Sequence, residues 1–133
     1  MENILAASAG KSVELVLREL VSEFINTLRD NSEMVRMCAA EMQHNPEMAA
    51  NHLQRIESDK QLIRTFLAER QSAGELRADI DLDTPTTLLM GAGYSMFLLH
   101  GNANDEAWGQ CVKLLVTNGV DIIINGITIP NKV

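Results

Sequence analysis

Sulfur and imidazole side chains recur at four-residue intervals in the first half of the chain, a spacing that can build a metal site. The first set is Met34, Cys38 and Met42, and the second is His44, Met48 and His52. Residues four apart share a helix face, and thioether, thiolate and imidazole groups suit Cu(I) and other soft ions. Pro46 breaks the register of the second set, however, and no Cys-x-x-Cys or His-Glu-x-x-His spacing is present. We therefore expect neither a metal nor another cofactor.

Two carboxylates, Asp79 and Asp81, stand beside Arg77 in a segment that we expect to be irregular. This arrangement is typical of an ion pair that holds a connector in place. The three histidines have no Ser or Cys partner in a nucleophile motif. Gly91 and Gly93 lie inside an apolar run rather than in a phosphate-binding loop. The sequence therefore predicts no enzymatic activity.

The length and composition predict one soluble domain that spans residues 1–133. With 133 residues, 46% of them hydrophobic, the chain can bury a single core. Its formal charge of −7 repels nucleic-acid phosphates and anionic membrane surfaces. No run approaches the roughly 20 apolar residues of a membrane span, and the first residues lack the basic region of a signal peptide. We expect Cys38 and Cys111 to be reduced thiols in the cytoplasm, with one disulfide between them as the alternative.

The positions of the helices follow from apolar spacing and from residues that favour helix ends. Apolar residues keep the i, i+3, i+4, i+7 pattern over residues 13–28, which predicts an amphipathic helix. Ser32 is a suitable N-cap for a second helix, which should end at His44-Asn45 because the residue before Pro46 is pushed out of the α region. Pro46 suits the first turn of a long third helix, with Asn45 as its cap and Gly74 as its stop.

The fourth helix has an unusual pattern. We predict that it begins at Thr84-Pro85, and it is apolar on nearly every side over residues 88–99. Such a helix must be buried on every side, and in a small domain a partner subunit is the simplest cover. Asn104 or Asp105 caps a fifth helix that stops near Gly126. The sequence therefore predicts an all-α bundle of five to six helices, without strands.

One segment resembles a known family. The connector reads Gly74-Glu75-Leu76-Arg77-Ala78-Asp79-Ile80-Asp81, followed by Asp83-Thr84-Pro85 and the apolar helix. This pattern resembles the C-terminal domain of TetR-family transcriptional regulators. The resemblance implies an effector-binding and dimerisation domain of a bacterial repressor. Nothing in the sequence corresponds to the family's helix-turn-helix, so we expect DNA contact only through a domain that is not present in this chain.

The resemblance also implies a homodimer, in which the last two long helices pack against their copies as a four-helix bundle. The residues expected at this dimer interface are Leu88, Leu89, Ala92, Ser95, Met96, Leu99, Trp108, Val112, Leu115, Gly119 and Ile122. Trp108 would be an energetic hot spot. The alternative is that the fourth helix is the central core helix of a monomer.

In the family, a hydrophobic small-molecule effector binds among the helices that precede the dimer pair. The corresponding ligand-binding residues are Phe24, Met34, Met37, Cys38, Met42, Ile56, Asp59, Ile63, Phe66, Tyr94 and Phe97. Asp59, Lys60, His52 or His100 could supply polar contacts. The alternative for this methionine-rich set is an ordinary core. A free-standing helical binding module or carrier, or an enzyme on a helical bundle, are the alternative functions.

Overall fold

The computed structural model describes residues 1–129, and within them the chain is helical. The helices are α1 (Glu2–Ala6), α2 (Val13–Asp30), α3 (Ser32–Glu41), α4 (Pro46–Ser72), α5 (Asp83–His100), α6 (Asp105–Leu114) and α7 (Val120–Ile127). A π-helical turn, Leu115–Gly119, joins α6 to α7 without a break, so the last part forms one long helix. The all-α prediction is confirmed. The last four residues of the predicted domain lie outside the described part.

Three of the long helices begin at side-chain caps. The side-chain oxygens of Ser12, Asn45 and Asn104 each accept a hydrogen bond from the backbone N–H three residues later, at 3.1, 3.1 and 2.9 Å. These bonds satisfy donors that have no partner inside the helix. Pro46 occupies the first turn of α4, where its missing N–H costs nothing. The predicted caps at Asn45 and Asn104 are therefore confirmed.

Three predicted helix boundaries, at both ends of α3 and at the start of α5, are wrong by a few residues. Ser32 is the first residue of α3 and not its cap, and α3 ends at Glu41 rather than at His44-Asn45. Thr84 does not cap α5: Leu82 is the cap residue, and the side chain of Asp81, one residue earlier, contacts the first turn. The Asp81 carboxylate accepts hydrogen bonds from the Thr84 backbone N–H at 2.9 Å and from its hydroxyl at 2.8 Å. The helix consequently begins at Asp83.

The core is built around α2. Its apolar stripe is almost completely buried, and α5 packs against it most closely at Gly93. A Cβ atom on Gly93 would lie 3.1 Å from Ile25 Cγ1, so a side chain there would push the two helices apart. Phe97 of α5, Trp108 of α6 and Val120 of α7 complete this core.

Helix α4 is anchored along only part of its length. Ile63, Phe66 and Leu67 in its C-terminal half are buried in the core. In its N-terminal half, Leu53 is 54% exposed and Ile56 is 36% exposed. The N-terminal half therefore leaves open space between itself and helices α2, α3 and α5. The candidate ligand site lies in this space.

The connector between α4 and α5 is tied to the end of α7. Leu76 and Thr128 form an isolated antiparallel bridge, and the Arg77 backbone N–H donates to the Ile127 carbonyl at 2.8 Å. Gly74 ends α4 with a φ of 84°, a left-handed conformation that glycine adopts without strain. This geometry holds the ends of α4 and α7 together.

Two general expectations can be compared with this fold. Cys38 and Cys111 are both free and half-buried, so the disulfide alternative does not apply. Across residues 1–129, none of the helices combines the length and the hydropathy that crossing a bilayer requires.

Candidate functional site

A cavity of about 230 Å³ lies between α2, α3 and α4, and we call it the α3 cavity. Its apolar lining consists of Phe24, Leu28, Met34, Val35, Cys38, Ile56 and Tyr94. Its polar lining consists of Thr27, Asn31, His52, Arg55 and Asp59. An apolar wall with a few polar groups is typical of a small-molecule site.

A second cavity of about 690 Å³ lies between α4 and α5, and we call it the α5 cavity. Three residues, Phe24, Ile56 and Tyr94, line both cavities and therefore stand between them. The rest of its lining is Ala50, Leu53, Gln54, Glu57, Lys60, Thr87, Met90 and Gly91. Its volume falls within the roughly 300–1,000 Å³ of small-molecule pockets.

The structure brings together about half of the predicted ligand-binding residues. Those that line the α3 cavity are Phe24, Met34, Cys38, Ile56, Asp59 and Tyr94. Ile63, Phe66 and Phe97 are instead buried in the core, at 2%, 3% and 0% exposed. Met37 is 53% exposed on the outside of α3, and Met42 lines neither cavity.

Some lining residues were not predicted from the sequence. Thr27 and Asn31 follow Phe24 at three and seven residues, so helical spacing alone could have placed them on the same face. Arg55 and Val35 also line the α3 cavity. Among the predicted polar contacts, His52 and Asp59 line the α3 cavity and Lys60 lines the α5 cavity, whereas His100 is exposed at the end of α5.

Asp59 is the most unusual polar residue of the site. Its side chain is partly buried, and within residues 1–129 it has neither an ion pair nor a hydrogen bond from a side chain. Burial raises the pKa of this carboxyl, while the chain's amino group and Arg55 oppose the shift and Glu23 adds to it. Its burial is thus not compensated by a partner.

The surface predicted for dimerisation separates into an exposed and a buried set. Leu88, Leu99 and Ile122 are 55%, 75% and 70% exposed, and Ala92 and Ser95 are exposed as well. Two leucines that were not predicted, Leu98 and Leu114, are also exposed. We call these seven residues the pairing face. Met96, Val112, Leu115 and Gly119 are half-buried.

Leu89 and Trp108 lie inside the single chain, at 4% and 3% exposed. The indole N–H of Trp108 donates to the side-chain oxygen of Asn26 on α2, and the Arg29 guanidinium lies 5.2 Å from the centre of the ring. Trp108 therefore packs α6 against α2. Its contacts lie within one chain, whereas the sequence predicts it on the surface as a hot spot of the dimer interface.

The acidic connector has the predicted structural role. Arg77 forms an ion pair with Asp79 at 2.9 Å, and it also donates to the Gly126 carbonyl at 3.1 Å. The hydrogen bond from Arg77 lowers the pKa of Asp79, and the hydrogen bond from the Thr84 hydroxyl lowers the pKa of Asp81. These carboxylates stabilise the connector and lie outside both cavities.

Four of the six sulfur and imidazole residues line one surface cleft, and Met42 and His44 do not. Met34 and Cys38 of α3 face Met48 and His52 of α4 across a space of about 330 Å³, and Arg55 also lines it. Within residues 1–129, no group of three or more His, Cys, Asp or Glu side chains is placed to hold a metal ion. The cleft continues into the α3 cavity through Met34, Cys38, His52 and Arg55.

A comparison with known protein families gives a match that covers most of the chain. Residues 11–112, most of the chain, match the family described as "Tetracyclin repressor-like, C-terminal domain". Comparisons with curated proteins and with solved structures give no match. The matched region includes α2 to α5, which form both cavities, and the connector whose sequence resembles this family. The chain belongs to the tetracyclin repressor-like C-terminal domain family.

Proposed function

We propose that this chain is the effector-sensing and dimerisation domain of a TetR-type transcriptional repressor. The family supports this proposal because its domains are typically the ligand-binding and dimerising part of such regulators and are generally not enzymes. The observation that carries it is the pair of adjacent cavities, which share Phe24, Ile56 and Tyr94 beneath the unanchored half of α4.

The effector in this proposal is a hydrophobic small molecule. Most of the α3 cavity lining is apolar, and Met34 and Cys38 add soft, adaptable sulfur groups. The N-terminal half of α4 contributes no buried side chain to the core, so an outward movement of that half would leave Ile63 and Phe66 in place. A ligand could therefore enter at a small cost in core packing.

The second function is pairing with another copy of the chain through the pairing face. Along α5, Leu88, Ala92, Ser95 and Leu99 follow a four-and-three spacing that favours helix-on-helix packing. Leu99 and Ile122 are the most exposed large apolar residues of the described chain, at 75% and 70%. A surface of this kind is typical of a protein interface.

Helix α5 connects the two functions. Tyr94 lines both cavities, while two residues of the pairing face follow on the same helix: Ser95 is the next residue and Leu99 lies five residues after Tyr94. A ligand that favours one position of α5 therefore favours one arrangement of the two copies, which is a population shift. Where a DNA-binding domain is joined to each copy, this shift would change the spacing of the two DNA-binding heads.

Pairing is tested by sedimentation of the purified chain. We expect wild type to sediment as a dimer and the double variant Leu99→Glu, Ile122→Glu to sediment as a monomer, because the new charges would lose their hydration at the interface. Met37→Glu is the control, since Met37 is exposed but lies outside the pairing face. A wild-type monomer at every concentration would contradict the pairing proposal.

Ligand binding is tested with the neutral aromatic probe 1-naphthalenemethanol. We expect calorimetry to detect binding to wild type and a large loss of binding to Ile56→Trp, whose indole would occupy space shared by both cavities. Leu15→Trp is the matched control, because Leu15 is exposed on α2 and lines neither cavity. Equal binding to wild type and Ile56→Trp would place the probe elsewhere. Ligand binding by a monomer would favour a carrier.

A further inference from the structure

Asp59 occupies a position of α4 where an apolar residue is expected. Ile56 stands three residues before it and Ile63 four residues after it, so all three share one helix face. Ile63 is buried in the core and Ile56 lines both cavities. The Asp59 side chain therefore lies on the inward-facing side of α4. It stands between Ile56, which lines the cavities, and Ile63, which anchors the helix in the core.

The chain's amino group and Arg55 act on Asp59 from a distance, but neither forms an ion pair with it. Within residues 1–129 no Lys, Arg or His lies within 4 Å of its carboxylate oxygens. Burial is the largest influence on its pKa, and it disfavours the charged form. A partly buried carboxylate without a partner costs stability, and a ligand that supplies the missing positive charge would recover that cost.

The aromatic residues of the α3 cavity favour the same kind of ligand. Phe24 and Tyr94 line this cavity together with Asp59, and Phe24 also borders Asp59 in a neighbouring cavity of about 400 Å³. An aromatic face attracts a cation through its quadrupole, and the attraction is larger where water is excluded. A positive group near Asp59 would therefore gain both an ion pair and aromatic contacts.

The cationic side chains of the cavity are placed less favourably for an anionic ligand. Arg55 is exposed, and it also lines the surface cleft together with His52. Both residues stand on α4 on the N-terminal side of Asp59, and His52 is half-buried. A solvated guanidinium discriminates weakly between ligands, whereas a partly buried carboxylate discriminates more strongly.

From these observations we infer that the α3 cavity selects a hydrophobic cation: a compact apolar body with one protonated amine, whose charge pairs with Asp59. The inference rests on the proposed ligand-binding function and adds the charge of the effector. The apolar body lies against Phe24, Ile56 and Tyr94, and the amine donates to the Asp59 carboxylate.

The experiment compares three probes that share a naphthalene ring and differ in charge. They are the cation 1-naphthylmethylamine, the neutral alcohol 1-naphthalenemethanol and the carboxylate anion 1-naphthaleneacetate. We expect calorimetry at neutral pH to show the amine binding about tenfold or more tightly than the alcohol, as a charge-assisted hydrogen bond implies. In Asp59→Asn this preference disappears while the alcohol binds as before. Glu69→Gln, an exposed α4 carboxylate outside both cavities, keeps the preference.

Each other outcome has a distinct meaning. If the amine and the alcohol bind equally to wild type, or if Asp59→Asn retains the preference, the cation inference is wrong and the ligand-binding function stands. If the anion 1-naphthaleneacetate binds more tightly than the amine and the alcohol, the site selects anions held by Arg55. If none of the three probes binds, the cation inference and the proposed ligand-binding function both fail. Circular dichroism verifies that Asp59→Asn is folded.

Discussion

The indole N–H of Trp108 donates to Oδ1 of Asn26 at 3.0 Å, which fastens the last long helix to α2. Trp108 is 3% exposed, and the Arg29 guanidinium covers one face of its ring. Arg29 also donates to the Ala103 carbonyl at 2.8 Å, in the turn before α6. The cluster thus fixes both the start of α6 and its packing against the core.

Truncation of Trp108 is the first prediction. Trp108→Ala should lower the free energy of unfolding by about 3–5 kcal/mol, as large-to-small changes in a core do. Trp108→Phe keeps an aromatic ring but loses the hydrogen bond to Asn26, and should cost less. Urea denaturation monitored by circular dichroism measures both variants. An unchanged unfolding midpoint for Trp108→Ala would show that the contact contributes nothing within a single chain.

The second prediction concerns Gly101, at the end of α5. A Cβ atom there would lie 2.5 Å from the Phe97 carbonyl oxygen and 3.1 Å from an Arg36 nitrogen. Gly101→Ala must therefore displace backbone, and we expect it to lower the free energy of unfolding by about 1–3 kcal/mol. Gly109→Ala is the control, because no atom lies within 4 Å of the added methyl group.

Gly109 stands inside α6, so its replacement should raise the free energy of unfolding by about 0.5–1 kcal/mol through helix propensity. Thermal unfolding of the two variants side by side gives the comparison. If both alanines change stability in the same direction, the close approach at Gly101 is not what requires glycine.

The sequence predicts the long helices well because they carry local signals, whereas the short α1 was not predicted. The apolar spacing of α2 and the cap and proline of α4 are local features, and each is found in the structure where expected. The π-helical turn at Leu115–Gly119 carries no such signal and was not predicted. The caps predicted at Ser32 and Thr84 were misplaced because another polar residue precedes each of them: Asn31 is the cap residue of α3, and Asp81 accepts the hydrogen bond from the Thr84 backbone N–H at α5.

The candidate site is harder to predict, because a helical stripe shows which residues face inward but not what they meet. Ile56 and Ile63 share one stripe of α4, yet one lines cavities and the other is core. The difference arises from the distance between α4 and its neighbours, which changes along the helix. Trp108 was assigned to the dimer surface for the same reason. The sequence near Trp108 shows that it belongs to an apolar helix face, but its hydrogen-bond partner Asn26 is 82 residues away and cannot be inferred from that pattern.

The acidic connector gives the third prediction, in the dependence of stability on pH. The folded state lowers the pKa of Asp79 through Arg77 and the pKa of Asp81 through Thr84. A carboxyl with a lowered pKa stabilises the fold at pH values above its unfolded pKa, near 4, and loses that contribution as the pH falls through the folded pKa. We expect the urea midpoint of wild type to fall steeply below about pH 4.

Asp81→Asn should reduce this acid-induced loss, because the charged acceptor of the α5 cap is then absent at every pH. The exposed Glu69→Gln variant serves as the control and should keep the wild-type profile. An identical profile for Asp81→Asn and wild type would show that the Asp81–Thr84 contacts do not contribute to stability.

Asp59 gives the fourth prediction, and its sign is opposite. Burial raises its pKa in the folded state, so protonation stabilises the fold, and this contribution is lost as the pH rises through the folded pKa. The groups around it are Arg55, Glu23 and the chain's amino group. We therefore expect Asp59→Asn to be more stable than wild type at neutral pH in the absence of ligand.

The difference between Asp59→Asn and wild type should shrink as the pH falls toward about 4, where the wild-type carboxyl also becomes neutral. Urea titrations of both proteins at a series of pH values measure it. A constant difference across the series would attribute the effect to side-chain packing, and a less stable variant at neutral pH would show that the carboxylate is already compensated. A residue that reduces the stability of the free domain and strengthens binding of a cation would contribute to binding at a cost to folding, which is the usual trade-off between function and stability.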